Sequence, residues 1–109
     1  MAKITKYTQN ISGTQPPPSP LASISIPSGS FIFGLSITYY ASTTVGSFKT
    51  ILTLTTGNTV LYTSDQLARR TEYILNATIS GISQGSVILT ESSSPMTVQN
   101  SSITVTAIE

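Results

Sequence analysis

Apolar residues recur at every second position through most of this chain, and serine or threonine fills many of the positions between them. Ala22, Ile24 and Ile26, for example, alternate with Ser23 and Ser25. Successive side chains of a β-strand point to opposite faces, so this spacing places the apolar residues on one side. The same alternation recurs in residues 31–39, 48–54, 60–62, 73–79 and 87–89. It predicts an all-β fold of half-buried strands.

The longest alternating segment covers residues 31–39 and is the strongest strand signal in the chain. It is bounded by Gly29 on one side and by the turn-forming residues 42–46 on the other. Strict alternation over nine residues is typical of a strand that buries one face. We expect five side chains to share that face: Phe31, Phe33, Leu35, Ile37 and Tyr39.

Two further segments carry turn or bulge signals. Residues 56–58, Thr-Gly-Asn, lie between two alternating segments and predict a tight hairpin. In residues 96–108, Met96 and Val98 share one phase, whereas Ile103 and Val105 share the other. A change of phase requires an extra residue, so residues 99–102 form either a bulge or a second tight turn. We favour a bulge within one long strand.

Residues 64–70 are the one segment with a helical pattern. Ser64 can cap a helix, and Asp65 suits the positive end of the helix dipole. Arg69 and Arg70 suit its negative end. The segment predicts one or two helical turns.

The number and spacing of the strands indicate the fold class. Seven or eight short strands, about ten residues apart with turn residues between them, predict an antiparallel β-sandwich over residues 21–109. The Cys–Trp–Cys spacing of immunoglobulin domains is absent, because the chain has neither residue. We therefore favour a jelly-roll-like over an immunoglobulin-like sandwich.

Residues 1–20 differ from the remainder and predict an extended N-terminal arm or linker. Residues 3–11 have the composition of a short strand, and four prolines follow within positions 16–20. Prolines cannot donate ladder hydrogen bonds and favour an extended conformation. Three interpretations stay open: a linker or disordered tail, an arm that pairs with the sheet edge of a neighbouring subunit, and a proline-rich ligand for an SH3-type partner.

The surface of this domain is unusually poor in charge. Serine and threonine together make up a third of the 109 residues, with 18 of each, but charged residues make up only 8%. Globular domains usually have about a quarter. Sheet proteins protect their open edges with charges, especially lysine, yet no charged residue lies between Tyr7 and Phe48. We infer that neighbouring subunits cover these edges.

Composition argues against catalysis and against several kinds of ligand. The chain has no histidine or cysteine, and its four acids are scattered at Asp65, Glu72, Glu91 and Glu109. General acid–base catalysis, serine nucleophiles and calcium sites each need groups that this set does not supply. The net charge of +1 and the absence of a long apolar segment argue against nucleic acid and membranes. We expect no enzyme activity, metal or cofactor.

A few residues are candidates for contact with a partner. Arg69 and Arg70 form either an ion-pair cluster with Asp65 and Glu72 or an anchor at an interface, where arginine is enriched. Tyr40 points away from the predicted core face and is the best candidate for an exposed sugar-stacking ring. The complete set of predicted partner-binding residues is Lys3, Ile4, Tyr7, Pro16, Pro17, Pro18, Tyr40, Arg69 and Arg70.

These features are similar in type to two groups of structural proteins. Small, charge-poor, Ser/Thr-rich sandwiches with a proline-marked arm resemble capsid decoration or minor capsid proteins, and filament subunits joined by strand exchange look similar. We therefore expect a non-enzymatic assembly subunit, self-associated as a homo-oligomer (a trimer is one form) and bound to a larger shell or filament. It would be made in the cytoplasm without a signal peptide and act in a virion or other extracellular assembly. The alternative is a carbohydrate- or receptor-binding module of adhesin or tail-fibre type, with its groove near Tyr40.

Overall fold

The computed structural model describes residues 3–14, 20–92 and 97–109. Within these ranges the protein is an antiparallel β-sandwich without helices. Its strands are β1 (Ile4–Thr14), β2 (Ala22–Ser25), β3 (Phe31–Tyr39), β4 (Lys49–Thr50), β5 (Leu52–Thr56), β6 (Thr59–Thr63), β7 (Leu67–Ala68), β8 (Tyr73–Ile82), β9 (Ser86–Glu91) and β10 (Thr97–Ile108). The predicted all-β class and antiparallel sandwich are confirmed.

Two four-stranded sheets form the layers of the sandwich. The first sheet has the strand order β1-β10-β3-β8, and the second has the order β2-β9-β5-β6. The short strands β4 and β7 pair separately. Neighbours within a sheet are mostly distant in sequence, so the chain crosses repeatedly between the layers. The molecule is elongated, with extents of 50 × 24 × 21 Å. The preference for a jelly-roll-like arrangement stays a prediction.

The core lies between the inner faces of the two sheets. Ile37 and Ile103 are fully buried on the first sheet, and Leu54 and Leu89 are fully buried on the second. Along β10, buried residues at 101, 103, 105 and 107 alternate with half-buried residues. The period-two pattern of the sequence therefore places the apolar side chains in this layer, as a pleated strand requires.

The predicted inner face of β3 is wrong at its first two positions. Phe31 is exposed and Phe33 half-buried, whereas Ile32 is buried. The pairing of β3 with β10 shifts between Ile32 and Gly34, which places an extra residue in β3. At this bulge two successive residues, Phe33 and Gly34, face outward, so the alternation before the bulge is reversed relative to the alternation after it. Phe31 and Phe33 therefore stack on the outer face, with ring centroids 6.3 Å apart.

The predicted bulge in the last strand and the predicted hairpin are both confirmed. The register between β1 and β10 shifts after Ile11, and Asn100 has a φ of 48°. Asparagine adopts this left-handed conformation more readily than most residues. Gly57 and Asn58 form a two-residue connection between β5 and β6, with Gly57 at a φ of 57°. This is the position at which such hairpins favour glycine.

The predicted helix at residues 64–70 is wrong, because this segment contains β7 instead. Leu67 is buried, and β7 pairs with β4. The Ser64 hydroxyl accepts a hydrogen bond from the backbone N–H of Leu52 at 2.9 Å. A helix here would have only Leu67 and Ala68 to pack against the core. Extended pairing satisfies the backbone and still buries Leu67.

The predicted N-terminal strand is present and belongs to the sandwich of its own chain. β1 pairs antiparallel with β10 from Ile4 to Thr14. The division into an arm at 1–20 and a domain at 21–109 stays a prediction, but residues 4–14 are an edge strand rather than a projecting arm. Pro16, Pro17 and Pro18 lie outside the described residues.

Candidate interaction surface

The outer face of the first sheet carries a continuous row of apolar side chains. Cross-strand pairing aligns one residue from each of the four strands, and the sequence of neighbours is Ile4–Ile108–Phe31–Ile82. Phe33 stacks on Phe31 beside them. Ile4 is 63% exposed, Phe31 38% and Ile82 49%. These five residues are called the apolar row below.

Three further rows on the same face are mostly polar. Their members, in the strand order β1, β10, β3 and β8, are Lys6–Thr106–Gly34–Thr78, Thr8–Thr104–Ser36–Asn76 and Asn10–Ser102–Thr38–Ile74. The hydroxyls of Thr8 and Thr104 share a hydrogen bond of 2.9 Å. Lys6 is the only charged residue in these polar rows. The face therefore offers hydroxyls, two separate amides and aliphatic groups, but almost no ionic contacts.

An open depression of about 360 Å³ lies over the first two polar rows. Gly34 is at its floor, where a Cβ would lie 3.2 Å from the Cβ of Thr106. Lys6, Ser36 and Asn76 supply polar groups around it. The missing side chain at Gly34 therefore creates a shallow site that can receive a small group of a partner.

The two sheets also leave an apolar margin where β6 and β8 lie side by side. Val60 of β6 is 59% exposed and Ile74 of β8 is 64% exposed. Leu75 is only half-buried although it points inward. The side chain of Leu61 lies against Gly81, where a Cβ would collide with it. This contact joins the two strands near the end of β8.

Six of the nine charged residues lie on or next to the paired strands β4 and β7 or at the adjacent ends of β8 and β9, and this region is called the charged end below. The backbone N–H of Arg70 donates to the carbonyl of Ala41 at 2.7 Å, and the Arg69 guanidinium lies near Gly46. Tyr40 is half-buried, and its N–H donates to the hydroxyl of Ser101 at 3.0 Å. These three predicted partner-binding residues therefore lie near the same end, away from the apolar row.

The predicted partner residues of the N-terminus lie on or beside β1. Lys3 and Ile4 are exposed, and Ile4 belongs to the apolar row. The Tyr7 hydroxyl donates to a carboxylate oxygen of Glu109 at 2.6 Å. This hydrogen bond is the main reason why the pKa of Tyr7 lies above its ordinary value. It ties the start of the chain to its end.

A buried tyrosine–glutamate pair lies inside the charged end. The Tyr39 hydroxyl donates to Oε2 of Glu91 at 3.2 Å, while Oε1 of Glu91 is buried without a hydrogen-bond partner among the described residues. Burial raises the pKa of Glu91 to about 7, and the hydrogen bond from Tyr39 offsets part of this effect. Burial also raises the pKa of Tyr39 well above its ordinary value. The pair makes folding sensitive to pH.

The described part of the chain lacks a cluster of metal-binding side chains and a helix that could span a membrane. Residues 3–14, 20–92 and 97–109 contain no group of three His, Cys, Asp or Glu side chains that could hold a metal ion. No helix in the same ranges is long and apolar enough to cross a membrane. The expectations of no enzyme activity and no cofactor stay predictions.

The apolar row is the feature that sequence reasoning missed. The strict spacing of Phe31, Phe33 and Leu35 assigned both phenylalanines to the core. Two signals pointed the other way: Ile32 is a large apolar residue in the opposite phase, and Gly34 interrupts the strand. A glycine inside a strand often marks a bulge.

Comparison of this chain with protein-family models and with curated protein sequences finds no match. The function must therefore be argued from the geometry of the chain itself.

Proposed function

We propose that this protein is a structural, non-enzymatic assembly subunit of a virion that binds copies of itself and a larger protein shell or filament. The observation that carries the proposal is the apolar row across the outer face of the first sheet. Each of the four strands contributes at least one of its five members, so the row is a property of the assembled sheet. Isolated exposed apolar residues are ordinary, whereas contiguous ones mark interaction surfaces.

The surroundings of the apolar row support protein–protein contact. Burying aliphatic and aromatic surface contributes about 25 cal/mol per Å² removed from water. The neighbouring polar rows carry only one charge, Lys6, so little ionic desolvation opposes close packing. Exposed threonine and serine hydroxyls can bond a partner directly or through water. We expect association that depends only weakly on salt, because few ion pairs contribute to it.

The strand order supports the jelly-roll-like arrangement that forms part of this proposal. Counting only the two large sheets, eight strands divide four and four, and consecutive strands change sheet at every step except the hairpin from β5 to β6. Immunoglobulin-type sandwiches divide their strands differently, for instance ABED against CFG. Jelly rolls are common in viral capsid and lectin domains. The arrangement is therefore compatible with a capsid decoration or minor capsid protein.

Light scattering of the purified protein over a range of concentrations tests the proposal. We expect the mass of the wild type to exceed that of one chain and to rise with concentration. Phe31→Ser removes the most central member of the apolar row and should weaken association at least tenfold. Val45→Ser is the matched control, because Val45 is 57% exposed but lies in the loop before β4. A wild type that stays monomeric at millimolar concentration would contradict self-association.

The alternative function is a carbohydrate- or receptor-binding module, and the depression over Gly34 favours it. Hydroxyl, amide and ammonium groups surround the depression, and the Phe33 ring belongs to the adjacent apolar row. Polar groups beside an aromatic ring suit sugar recognition. A glycan array is the test. Binding lost in Phe33→Ala but kept in Tyr40→Ala would support this site, whereas absence of binding to any glycan would reject it.

A further inference from the structure

The outer edge of β8 is a long strand edge without a pairing partner among the described strands. β8 runs from Tyr73 to Ile82 and pairs only with β3. Its pairing with β3 shifts near residues 79–80, and the contact of Leu61 with Gly81 follows immediately. The register with β3 is regular from Tyr73 to Thr78, so residues 73–79 extend only to the beginning of this shift. This segment therefore offers a regular row of backbone N–H and C=O groups to another strand.

We propose that two copies of this protein pair through residues 73–79 of β8, antiparallel about a two-fold axis at Asn76. This inference rests on the proposed function and names the first contact between subunits. Each four-stranded sheet would continue into its copy, which produces one eight-stranded sheet. Closed two-fold pairing is the commonest symmetry of homo-oligomers and uses the same residues on both sides.

The residues of this segment are complementary to themselves in the antiparallel arrangement. A two-fold axis at Asn76 places Ile74 opposite Thr78 of the second copy and Leu75 opposite Ala77. The two Asn76 side chains face each other on the outer face, where an amide can both donate and accept. Aliphatic and β-branched pairs at these positions stabilise neighbouring strands. At the ends of the segment the half-buried Tyr73 lies opposite the buried Ile79, and this is the one pair in which two large side chains meet.

Charge favours a second copy as the occupant of this edge. β8 and the adjacent strand β6 contain no charged residue. A copy of the same chain therefore meets no like charge along the paired segment. A strongly charged partner would find no complementary charge there either. The exposed side chain of Ile74 lies within the paired segment and would be partly covered by Thr78 of the second copy.

The available area is consistent with a reversible dimer. Seven residues at about 3.4 Å each give a paired length of about 24 Å. Even a contact across the full 21 Å thickness of the molecule would bury at most about 500 Å² of each copy. The total of about 1,000 Å² is at the lower limit of specific interfaces. We therefore expect dissociation in the micromolar range rather than a permanent dimer.

A charge-exchange experiment at Asn76 tests this arrangement. Asn76→Lys and Asn76→Glu each place two like charges at the axis, which is unfavourable for directly opposed residues. Each variant alone should raise the dimer dissociation constant at least tenfold. An equimolar mixture should restore a dimer that contains one copy of each. The control is Thr8→Lys, at the opposite end of the same polar row, which should dimerise like the wild type.

The outcomes separate this inference from the proposed function. Circular dichroism first verifies that each variant has the spectrum of the wild type. Restored dimerisation in the mixture supports pairing through β8, because it requires the two residues at position 76 to face each other. Subunits that associate through another surface would not show it. Equal dimerisation of Asn76→Lys and the wild type would overturn it, while loss of association in Phe31→Ser would still support the proposed function. A monomeric wild type would also overturn the proposed dimer. The β8 edge would then either remain unpaired or pair with a strand of another protein.

Discussion

The two edges of the first sheet differ in how they are protected. β1 has Lys3 immediately before it and Lys6 within it, and the Tyr7–Glu109 hydrogen bond ties it to the end of β10. β8 has neither charge nor proline over its ten residues. Lysine on an edge strand discourages pairing with other chains, because a new neighbour would have to desolvate it. We therefore expect the β1 edge to resist pairing with another chain and the β8 edge to permit it.

This difference indicates a directed mode of assembly. A sheet with two open edges can grow indefinitely, as fibrils do, because each added copy presents a new edge. A sheet with one open edge stops after a two-fold pair. Under the proposed pairing the low charge of the chain is tolerable, because the β8 edge is used once and the two lysines disfavour pairing at the β1 edge.

The largest expected effect concerns the partly buried Tyr39–Glu91 pair, which joins β3, the neighbour of β8, to β9 of the second sheet. Folding raises the pKa of Glu91 from 4.5 to about 7, so the folded state binds this proton more tightly. The contribution of Glu91 to stability is therefore fully present below pH 4.5 and is lost as the pH rises through about 7, by about 1–3 kcal/mol. Glu91→Gln should abolish this slope in urea denaturation at several pH values. An unchanged slope would show that another group is responsible.

The next effect is steric and concerns the contact that joins β6 to β8. Gly81→Val places a branched side chain where Leu61 lies and should cost about 2 kcal/mol in the free energy of unfolding. Adding Leu61→Ala should recover part of this loss, because it removes the colliding atoms. Urea denaturation of the single and double variants measures both values. A tolerated Gly81→Val would mean that the margin between β6 and β8 is loose.

A pair of matched tyrosine substitutions compares the two edges directly. The Tyr73 hydroxyl accepts a hydrogen bond from the backbone N–H of Ala68 at 2.8 Å in a partly buried position. Tyr73→Phe leaves that donor without its partner and should cost about 1 kcal/mol. Tyr7→Phe removes an exposed bond, and we expect no measurable change. Thermal unfolding of both variants gives the comparison, and equal losses would contradict it.

The smallest effect on stability should come from removing the charges of the β1 edge. Lys3→Thr combined with Lys6→Thr leaves the contacts of the core untouched, so the free energy of unfolding should not change. Association should increase, because the second edge loses its protection and chains can then grow in both directions. Light scattering over time would detect larger species. If the double variant keeps the mass of the wild type, lysine is not what closes this edge.

Much of the fold was predictable from local patterns. The alternation of β5, β8 and β10 indicated their inner faces correctly, because a half-buried strand requires period two. The bulge near Asn100 followed from the change of phase between Val98 and Ile103. Gly57 marked the hairpin. Each of these features depends on residues close together in sequence.

The errors and omissions arose where distant residues decide the structure. Residues 64–70 have the local pattern of a helix, but pairing of β7 with β4 satisfies their backbone in another way. Phe31 and Phe33 follow the period of Leu35, but the bulge in β3 turns them outward. The apolar row combines four strands that lie far apart in sequence, so only the strand order reveals it. Tyr40, Arg69 and Arg70 were predicted to bind a partner from their residue types alone, and the structure places them away from the apolar row.

The exposed phenylalanine and isoleucines of the apolar row also imply a dependence on temperature. Contact between such groups is driven by the release of ordered water, and this driving force weakens on cooling. Particles held together by this row should therefore loosen when chilled and tighten when rewarmed. Cold storage would favour dispersed subunits, and warmth would favour the assembled form.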